Sequence, residues 1–425
     1  MSSNPFLQDE PGGAGATTAT TVAGITIERP SAEISVEAGR KSRQLCIYPA
    51  RAGYDLRREL DFLTNRALEG NVFFSARFMA PAMPRLEDKE IRLMIMRDED
   101  ERRSRLRFLM PFSIERPGFA IGSPIIRAWA NDFGPLGTPL LDQEGAAETL
   151  DNLLETLGSG KLDLPSVLII PSARLDGPFV QLLRAVAVSR GLPITETDPF
   201  ERPMLKSTLD GTQYLKQSLS SKHLRERRRQ LRLLGGHGEV TYDVARQPGD
   251  IRYRMEEFLA LEASGWKGRR RTAMVVDRYR AAFAREAITD LAETDNVRIH
   301  TLNLNGEAIA SMIVFIQSGT AYTWKTAYNE TFSSLSPGQL LMDELTALHL
   351  EDPNITISDS CAVEDHPVMS RLWRERCRMG TLIVGLSQSS DRDMRQVETQ
   401  LHLYNETRNI ARIVRNKLRG MTRGR

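Results

Sequence analysis

Three apolar segments joined by two tight turns constrain the fold of this chain most strongly. They are VRIHTLNLN (297–305), EAIASMIVFIQ (307–317) and TAYTWKTAY (320–328), all rich in β-branched and aromatic residues. Asn305-Gly306 is a strong hairpin signal because both residues tolerate the positive φ of a type I′ turn. A Gln-Ser-Gly-Thr sequence marks the second turn. The pattern predicts an antiparallel meander of three strands.

A Ser-Pro-Gly sequence after the meander marks the start of a helix. Ser336 is a natural N-cap, Pro337 suits the first turn, and Gly338 leaves the neighbouring amides accessible. Free N–H groups at the positive end of a helix dipole bind anions. Ser336 to Leu340, including Gln339, are therefore a candidate anion site, although the same residues are also simply a good helix start.

Strand and helix patterns alternate along the rest of the chain, which predicts an α/β fold or mixed α+β sheets. A length of 425 residues exceeds one ordinary domain. Residues 1–40, rich in Gly, Ala, Thr and Ser, are expected to be disordered. Residues 41–203 and 204–390 are expected to form two domains, followed by a basic C-terminal helix and tail at 391–425.

Composition argues against several classes of protein. A net charge of +2 gives no overall attraction to nucleic acid or anionic lipid, and no apolar run reaches the ~18 residues that span a bilayer. The three cysteines suggest neither a disulfide framework nor, with histidine, a metal site. Basic runs at 222–232 and 408–425 are interpreted as solvated helix faces, with RNA or anionic glycan contact as the alternative. We expect a cytoplasmic protein without a metal or a membrane span.

Several segments resemble the GNAT acyltransferase superfamily, specifically its CelD-type branch of cellulose-biosynthesis-associated acetyltransferases. They include FLALEASGWKGRRRTAM (258–274), LNLNGEAIASMIVFIQSGTAYTWKTAYNETFSSLSPGQLL (302–341) and DSCAVEDHPVMSRLWRER (359–376). The resemblance implies two tandem GNAT-like domains and acetyl-CoA as acyl donor, with its diphosphate against the helix start at residues 337–340. The related FemAB-type transferases share this architecture and use charged tRNA instead.

Two residues after the third strand are candidates for catalysis. Acyl transfer needs a neutral attacking amine, so a base must lie within hydrogen-bond reach of it, and Glu330 is the first candidate. The family pattern has Asp where this chain has Asn329, which leaves Glu330 as the better acidic residue. The resemblance also implies that Tyr328 protonates the leaving thiolate. A solvated carboxylate and a packing tyrosine are the ordinary alternatives.

Six further side chains are candidates for contacts with the substrate: Lys325, Trp266, Lys267, Asp359, Glu364 and Asp365. Lys325 lies on a strand, and period-two alternation places it with Ala327 on the face opposite Trp324 and Tyr328. The Trp-Lys pair precedes three arginines, and the acidic residues follow a probable strand at 355–358. Packing or solvated roles remain the alternative for each of the six.

These observations and the resemblance predict an acyl-CoA-dependent N-acyltransferase. The resemblance alone suggests the acceptor, which is the amine of an amino sugar, an amino acid or an envelope or exopolysaccharide precursor. The cleft between the two domains is the expected acceptor site. One alternative is a FemAB-like transferase. Only under this alternative do we expect a nucleic acid as partner, namely tRNA. Another is a non-catalytic binding protein in polysaccharide assembly.

Overall fold

The computed structural model describes residues 20–22, 25–27, 30–38, 41–99, 105–118 and 122–422. Part of the segment expected to be disordered is ordered. Strands β1 (Thr20–Val22) and β2 (Ile25–Ile27) pair with each other, and β3 (Ala32–Ala38) pairs along its whole length with the next strand. The expectation of disorder is therefore corrected for residues 32–38, while residues 1–19 lie outside the described part.

A mixed sheet of 14 strands runs through the described part of the chain. In chain order its strands are β3, β4 (Lys41–Pro49), β5 (Arg92–Glu99), β6 (Arg105–Glu115), β7 (Ile125–Ala128), β8 (Leu140–Leu141), β9 (Val167–Arg174), β10 (Ile194–Leu205), β11 (Val240–Ala245), β12 (Val297–Leu304), β13 (Glu307–Gln317), β14 (Thr320–Tyr328), β15 (Ile357–Asp359) and β16 (Glu375–Gly385).

Helices cover both faces of this sheet. They are α1 (Ala52–Asp55), α2 (Arg57–Arg66), α3 (Ala76–Leu86), α4 (Ala146–Gly158), α5 (Pro178–Ser189), α6 (Gly211–Ser218), α7 (Ser221–Gly235), α8 (Pro248–Ser264), α9 (Trp266–Arg269), α10 (Arg278–Ala292), α11 (Pro337–Glu351), α12 (Met369–Leu372) and α13 (Asp391–Thr422). Short 3₁₀ turns precede α10 and α11, at Met274–Val276 and Glu330–Leu335. The side chains of the second basic run, 408–425, lie outside the described residues.

The predicted meander is confirmed. Strands β12, β13 and β14 pair antiparallel in sequence, and the first turn closes with Leu304 opposite Glu307. Asn305 and Gly306 both have positive φ, at 52° and 82°, as a type I′ turn requires. Helix α11 then begins at Pro337, as the Ser-Pro-Gly sequence predicts.

The two halves of the chain interlock within one sheet. The strand order is β11-β12-β13-β14-β15-β10-β16-β9-β7-β6-β5-β4-β3, so β16, near the C-terminus, lies between two strands of the first half. The expected domain boundary between residues 203 and 204 falls inside β10. Strand β15 pairs parallel with β14 only as far as Tyr322 and Asp359, whereas β14 continues to Tyr328. The two strands therefore part at that point.

Aromatic side chains fill the junction between the halves. Phe73 and Phe78 of the first half contact Tyr322, Phe283 and Trp324 of the second, with ring centroids 5.3–6.0 Å apart. The Trp324 indole N–H also donates to the carbonyl of Phe133 at 2.7 Å. This part of the junction is a packed core, and the expectation of an acceptor cleft between the halves stays a prediction.

A bulge in β14 changes which side chains share a face. Lys325 pairs with Ile313 and Thr323 pairs with Val314, which leaves Trp324 as the extra residue. Trp324 and Ala327 consequently pack in one core cluster, while Tyr328 packs in the other. The predicted alternation, with Trp324 and Tyr328 on one face, is wrong because one extra residue reverses the period.

Candidate functional site

A cavity of about 310 Å³ opens at the end of β14, where α11 begins. The end of α8, the α9 turn, the last residues of β14, the start of α11 and the loop before α12 line it. Ligands commonly bind beside the carboxyl ends of strands in α/β sheets. The lining belongs entirely to the second half of the chain.

The start of α11 is less open than the sequence predicts. Ser336 has a φ of 50° and makes no side-chain cap; its Oγ instead accepts a hydrogen bond from Gln230 at 3.2 Å. The amides of Gln339 and Leu340 donate to the Ser336 carbonyl at 2.9 and 3.1 Å. Pro337 has no N–H. Among the five predicted anion-site residues, Gly338 has an amide N–H that donates to no acceptor in the described part of the chain.

Tyr328 lies beside that free amide. A Cβ built on Gly338 would lie 3.6 Å from Cδ1 of the Tyr328 ring, so the two residues form one wall of the cavity. The Tyr328 hydroxyl has no hydrogen-bond partner among the described residues. A phenol that is half-buried and unbonded is free to donate a proton to a ligand.

Glu330 lines the cavity but is already engaged. Its carboxylate accepts the Trp266 amide at 2.6 Å and a hydrogen bond from the Arg269 guanidinium. The hydrogen bond from Arg269 lowers the pKa of Glu330, with that from the Trp266 amide second. A carboxylate with a lowered pKa is a weaker base, so the contacts favour a role in holding α9, where Trp266 itself lines the cavity.

The two predicted substrate lysines both have protein partners. Lys267 donates to the Glu262 carboxylate at 2.9 Å and to the Thr326 carbonyl at 3.0 Å, which ties α9 to β14 at the edge of the cavity. Lys325 donates to the Asp132 carbonyl at 3.2 Å and lies outside the cavity lining. Burial, with a smaller contribution from the nearby Lys267, lowers the pKa of Lys325 to about 8. Lys325 therefore faces the first half of the protein.

The predicted acidic substrate residues do not line the cavity. Asp359 is fully buried and pairs with Arg174 at 3.2 Å and Arg202 at 3.5 Å. Direct contact between Asp359 and an acceptor is excluded in this structure because paired guanidiniums and backbone enclose the carboxylate. Glu364 and Asp365 are exposed on the loop before α12. Both carboxylates therefore lie beside the cavity, and their contact with the substrate stays a prediction.

His366 is a cavity residue for which the sequence analysis assigned no role. Its Nδ1 accepts the amides of Val368 and Met369 at 3.4 and 3.2 Å, so the neutral ring carries its proton on Nε2. Burial lowers the pKa of His366, which favours this neutral form. The sequence signal that could have indicated this turn is a histidine that closely precedes a short helix. The result is a neutral N–H donor in the cavity wall.

A second cavity, of about 350 Å³, lies at the opposite end of α11. His300 of β12 and His349 of α11 line it, with ring centroids 5.6 Å apart. The Tyr242 hydroxyl lies 2.5 Å from Nδ1 of His300, and the Ser358 hydroxyl lies 2.9 Å from Nδ1 of His349. Both Nε2 atoms are buried without a partner. This cavity is separate from the one at the start of the helix.

Two kinds of feature are missing from the described residues. No helix there is both long enough and apolar enough to cross a bilayer. No cluster of three or more His, Cys, Asp or Glu side chains within those ranges is arranged to hold a metal ion.

Comparison with known structures supports the fold. A crystal structure of the C-terminal domain of a protein described as a lysylphosphatidylglycerol synthetase, from Agrobacterium fabrum, aligns with a TM-score of 0.50 and 13% identity over 84% of this chain and 96% of that one. FemX aligns with a TM-score of 0.50 and 9% identity over 78% of this chain and 96% of that one. At these identities the likeness concerns the fold alone. The predicted α/β class is confirmed, and the tandem of two GNAT-like halves stays a prediction.

Sequence comparison identifies the part of the chain that carries the cavity. The curated proteins include no match. Residues 221–353 match the family model described as the acetyltransferase (GNAT) domain, and this range contains the meander, Tyr328 and the start of α11. The assignment to the CelD-type branch stays a prediction. Residues 221–353 are therefore similar to a GNAT acetyltransferase domain.

Proposed function

We propose that the protein is an acyl-CoA-dependent N-acyltransferase whose cavity holds the thioester end of acetyl-CoA. One observation carries this proposal: the cavity opens at the β14–α11 junction inside the segment that matches the GNAT domain. The free Gly338 amide and the positive end of the α11 dipole favour a negatively charged oxygen of the donor. A cavity lined largely by carbon atoms suits the pantetheine arm.

The residues of the cavity support a simple sequence of bond changes. A neutral amine attacks the thioester carbonyl carbon, the C–N bond forms, and the C–S bond breaks. The Tyr328 hydroxyl lies free in the cavity wall and gives its proton to the departing thiolate. The proton lost by the attacking nitrogen then restores Tyr328 through water. Positioning of donor and amine lowers the barrier further, by several kcal/mol.

The acceptor is proposed from the CelD-type resemblance. We infer an amine of an amino sugar, an amino acid or an envelope or exopolysaccharide precursor, and a cytoplasmic reaction because the donor is a CoA thioester. The exposed carboxylates Glu364 and Asp365 lie on the loop beside the cavity, where an ammonium-bearing acceptor would pass. Lys267 and Trp266 would shape the same opening.

Calorimetric titration with acetyl-CoA tests the proposal. Gly338→Leu places a side chain in the cavity against Tyr328, and we expect the affinity for acetyl-CoA to fall about tenfold or more. Gly249→Leu is the matched control because Gly249 also follows a helix-starting proline and its Cβ would meet nothing within 4 Å. Absence of saturable binding to the unmodified protein, or equal affinity in both variants, would remove the proposed donor site.

A second candidate is an aminoacyl transferase that uses charged tRNA. The shared fold with FemX and the position of the basic helix α7 favour it, since Gln230 bonds to Ser336 and Arg227 pairs with Asp343 at 3.0 Å beside the cavity. Phosphate contacts release counterions, so binding of tRNA would weaken steeply with salt. Titration of aminoacyl-tRNA at two salt concentrations separates this candidate from one that binds acetyl-CoA.

A further inference from the structure

Apolar side chains concentrate on the surface segment 266–280, beside the cavity mouth. Trp266 is 40% exposed, Val275 39%, Val276 44% and Tyr279 51%. These four belong to the large hydrophobic residues that the described part of the chain exposes, and they fall within 14 consecutive positions. Single exposed apolar residues need no explanation, whereas a concentration of them marks an interaction surface.

The same segment carries uncompensated positive charge. Arg270 stacks on Trp266 at 5.1 Å and Arg278 stacks on Tyr279 at 4.6 Å. Within the described ranges, no carboxylate forms an ion pair with Arg270, Arg271 or Arg278. Two other arginines of the segment, at positions 269 and 280, are paired with carboxylates. The surface is therefore apolar, aromatic and cationic together.

Hydrogen bonds hold this segment in place. The amides of Thr272 and Ala273 donate to the Lys267 carbonyl at 2.8 and 3.2 Å, and the buried Met274 donates its amide to Glu262 at 2.8 Å. Asp277 then caps α10. Because the loop is anchored on both sides, its exposed side chains are displayed by a fixed backbone.

We propose that residues 266–280 form a docking surface for an anionic lipid bilayer. Arginines attract acidic headgroups, while tryptophan and tyrosine favour the boundary between headgroups and acyl chains. Nucleic acid would use the arginines and the aromatic rings but would leave Val275 and Val276 in water. The valines gain only from an apolar phase, so a lipid surface satisfies the whole set. The proposal concerns this surface and holds whichever donor the cavity takes.

Co-sedimentation of the full chain with vesicles tests the proposal. We expect binding to vesicles of phosphatidylcholine mixed with phosphatidylglycerol and much weaker binding to phosphatidylcholine alone. Val275→Ser with Val276→Ser, and separately Arg271→Glu with Arg278→Glu, should each weaken binding by about tenfold. Matched controls are Val188→Ser with Phe62→Ser, both exposed elsewhere, and Arg225→Glu with Arg228→Glu on α7. Circular dichroism and thermal unfolding show whether each variant is folded.

Three outcomes would overturn the proposal. The first is no sedimentation with the anionic vesicles, and the second is an equal loss of binding in the control variants. The third is a loss in the arginine variant alone, with normal binding by the valine variant. That result, together with retention of single-stranded RNA by the unmodified chain, would identify a nucleic-acid surface instead.

Discussion

At the scale of single residues, Tyr328 and Glu330 lie two positions apart and differ in what they can do. The Tyr328 hydroxyl has no partner in the described part of the chain, whereas Arg269 and the Trp266 amide hold the Glu330 carboxylate. These two hydrogen bonds stabilise the charged carboxylate and lower the pKa of Glu330, which makes it a weaker base. The geometry therefore favours proton transfer by Tyr328 and a positioning role for Glu330.

Tyr328→Phe removes the hydroxyl and keeps the ring against Gly338. Under the proposed function we expect kcat to fall about 10²-fold while affinity for acetyl-CoA changes little, because the thiolate then leaves without a proton donor. Steady-state kinetics and calorimetry measure the two quantities. Tyr253→Phe, on the exposed face of α8, is the control. An unchanged kcat in Tyr328→Phe would assign the phenol to packing.

At the scale of elements, Glu330 links the turn before α11 to α9. Glu330→Ala removes both links, so we expect faster hydrogen exchange across residues 266–273, a higher KM and a nearly unchanged kcat. Glu256→Ala, which removes the exposed ion pair with Arg285, is the control and should alter neither quantity. A fall in kcat of about 10²-fold, with loss of the acidic limb of the pH profile, would restore Glu330 as the base.

The elements also show how far the sequence predicts this protein. Local signals predict the meander, the Asn305-Gly306 turn and the start of α11 because turn and strand preferences act over a few residues. The bulge at Trp324 has no local signal, since it depends on pairing with β13. It nevertheless places Trp324 and Tyr328 on opposite faces of β14. The partners of Asp359 likewise come from strands far away in sequence.

At the scale of the whole molecule, a buried ionic network joins the halves. Asp359 of the second half pairs with Arg174 and Arg202 of the first, and Arg174 also pairs with Glu69 at 3.3 Å. Burial alone would raise the pKa of Asp359, but Arg202 and Arg174 outweigh it and lower that pKa. Asp359 belongs to the last residue pair between β15 and β14, so the network fixes the point where these two strands part.

Asp359→Asn leaves two buried guanidiniums without their shared carboxylate. We expect the free energy of unfolding to fall by about 3–5 kcal/mol, the usual result of breaking a buried ion pair from one side. Urea unfolding measures this change. Glu364→Gln, on the exposed loop nearby, should change the free energy by no more than about 0.5 kcal/mol. If both substitutions changed the free energy of unfolding by similar amounts, water would reach the ionic network.

The histidine pair at the far end of α11 makes stability depend on pH. Burial lowers the pKa of His349 from 6.5 to about 4. Burial also lowers the pKa of His300 well below its ordinary value, and His349, Arg246 and Arg298 lower it further. The unfolded chain binds protons at both rings near pH 6.5, while the folded chain does so only at lower pH. Stability is therefore fully present above pH 6.5 and is lost as the pH falls towards the folded pKa.

For His349 we expect a fall of about 2 kcal/mol in the free energy of unfolding between pH 7 and pH 5, since one pKa unit corresponds to 1.36 kcal/mol, and His300 acts in the same direction. His349→Gln keeps a partner for the Ser358 hydroxyl and removes the titrating ring, so its stability should fall less steeply over this range. His223→Gln, exposed on α7, should retain the full dependence. Urea unfolding at several pH values gives each slope. Equal slopes of the free energy of unfolding against pH in His349→Gln and the unmodified chain would contradict this prediction. In that case the His349 ring takes up its proton in the folded state without loss of stability, and other groups cause the acid sensitivity.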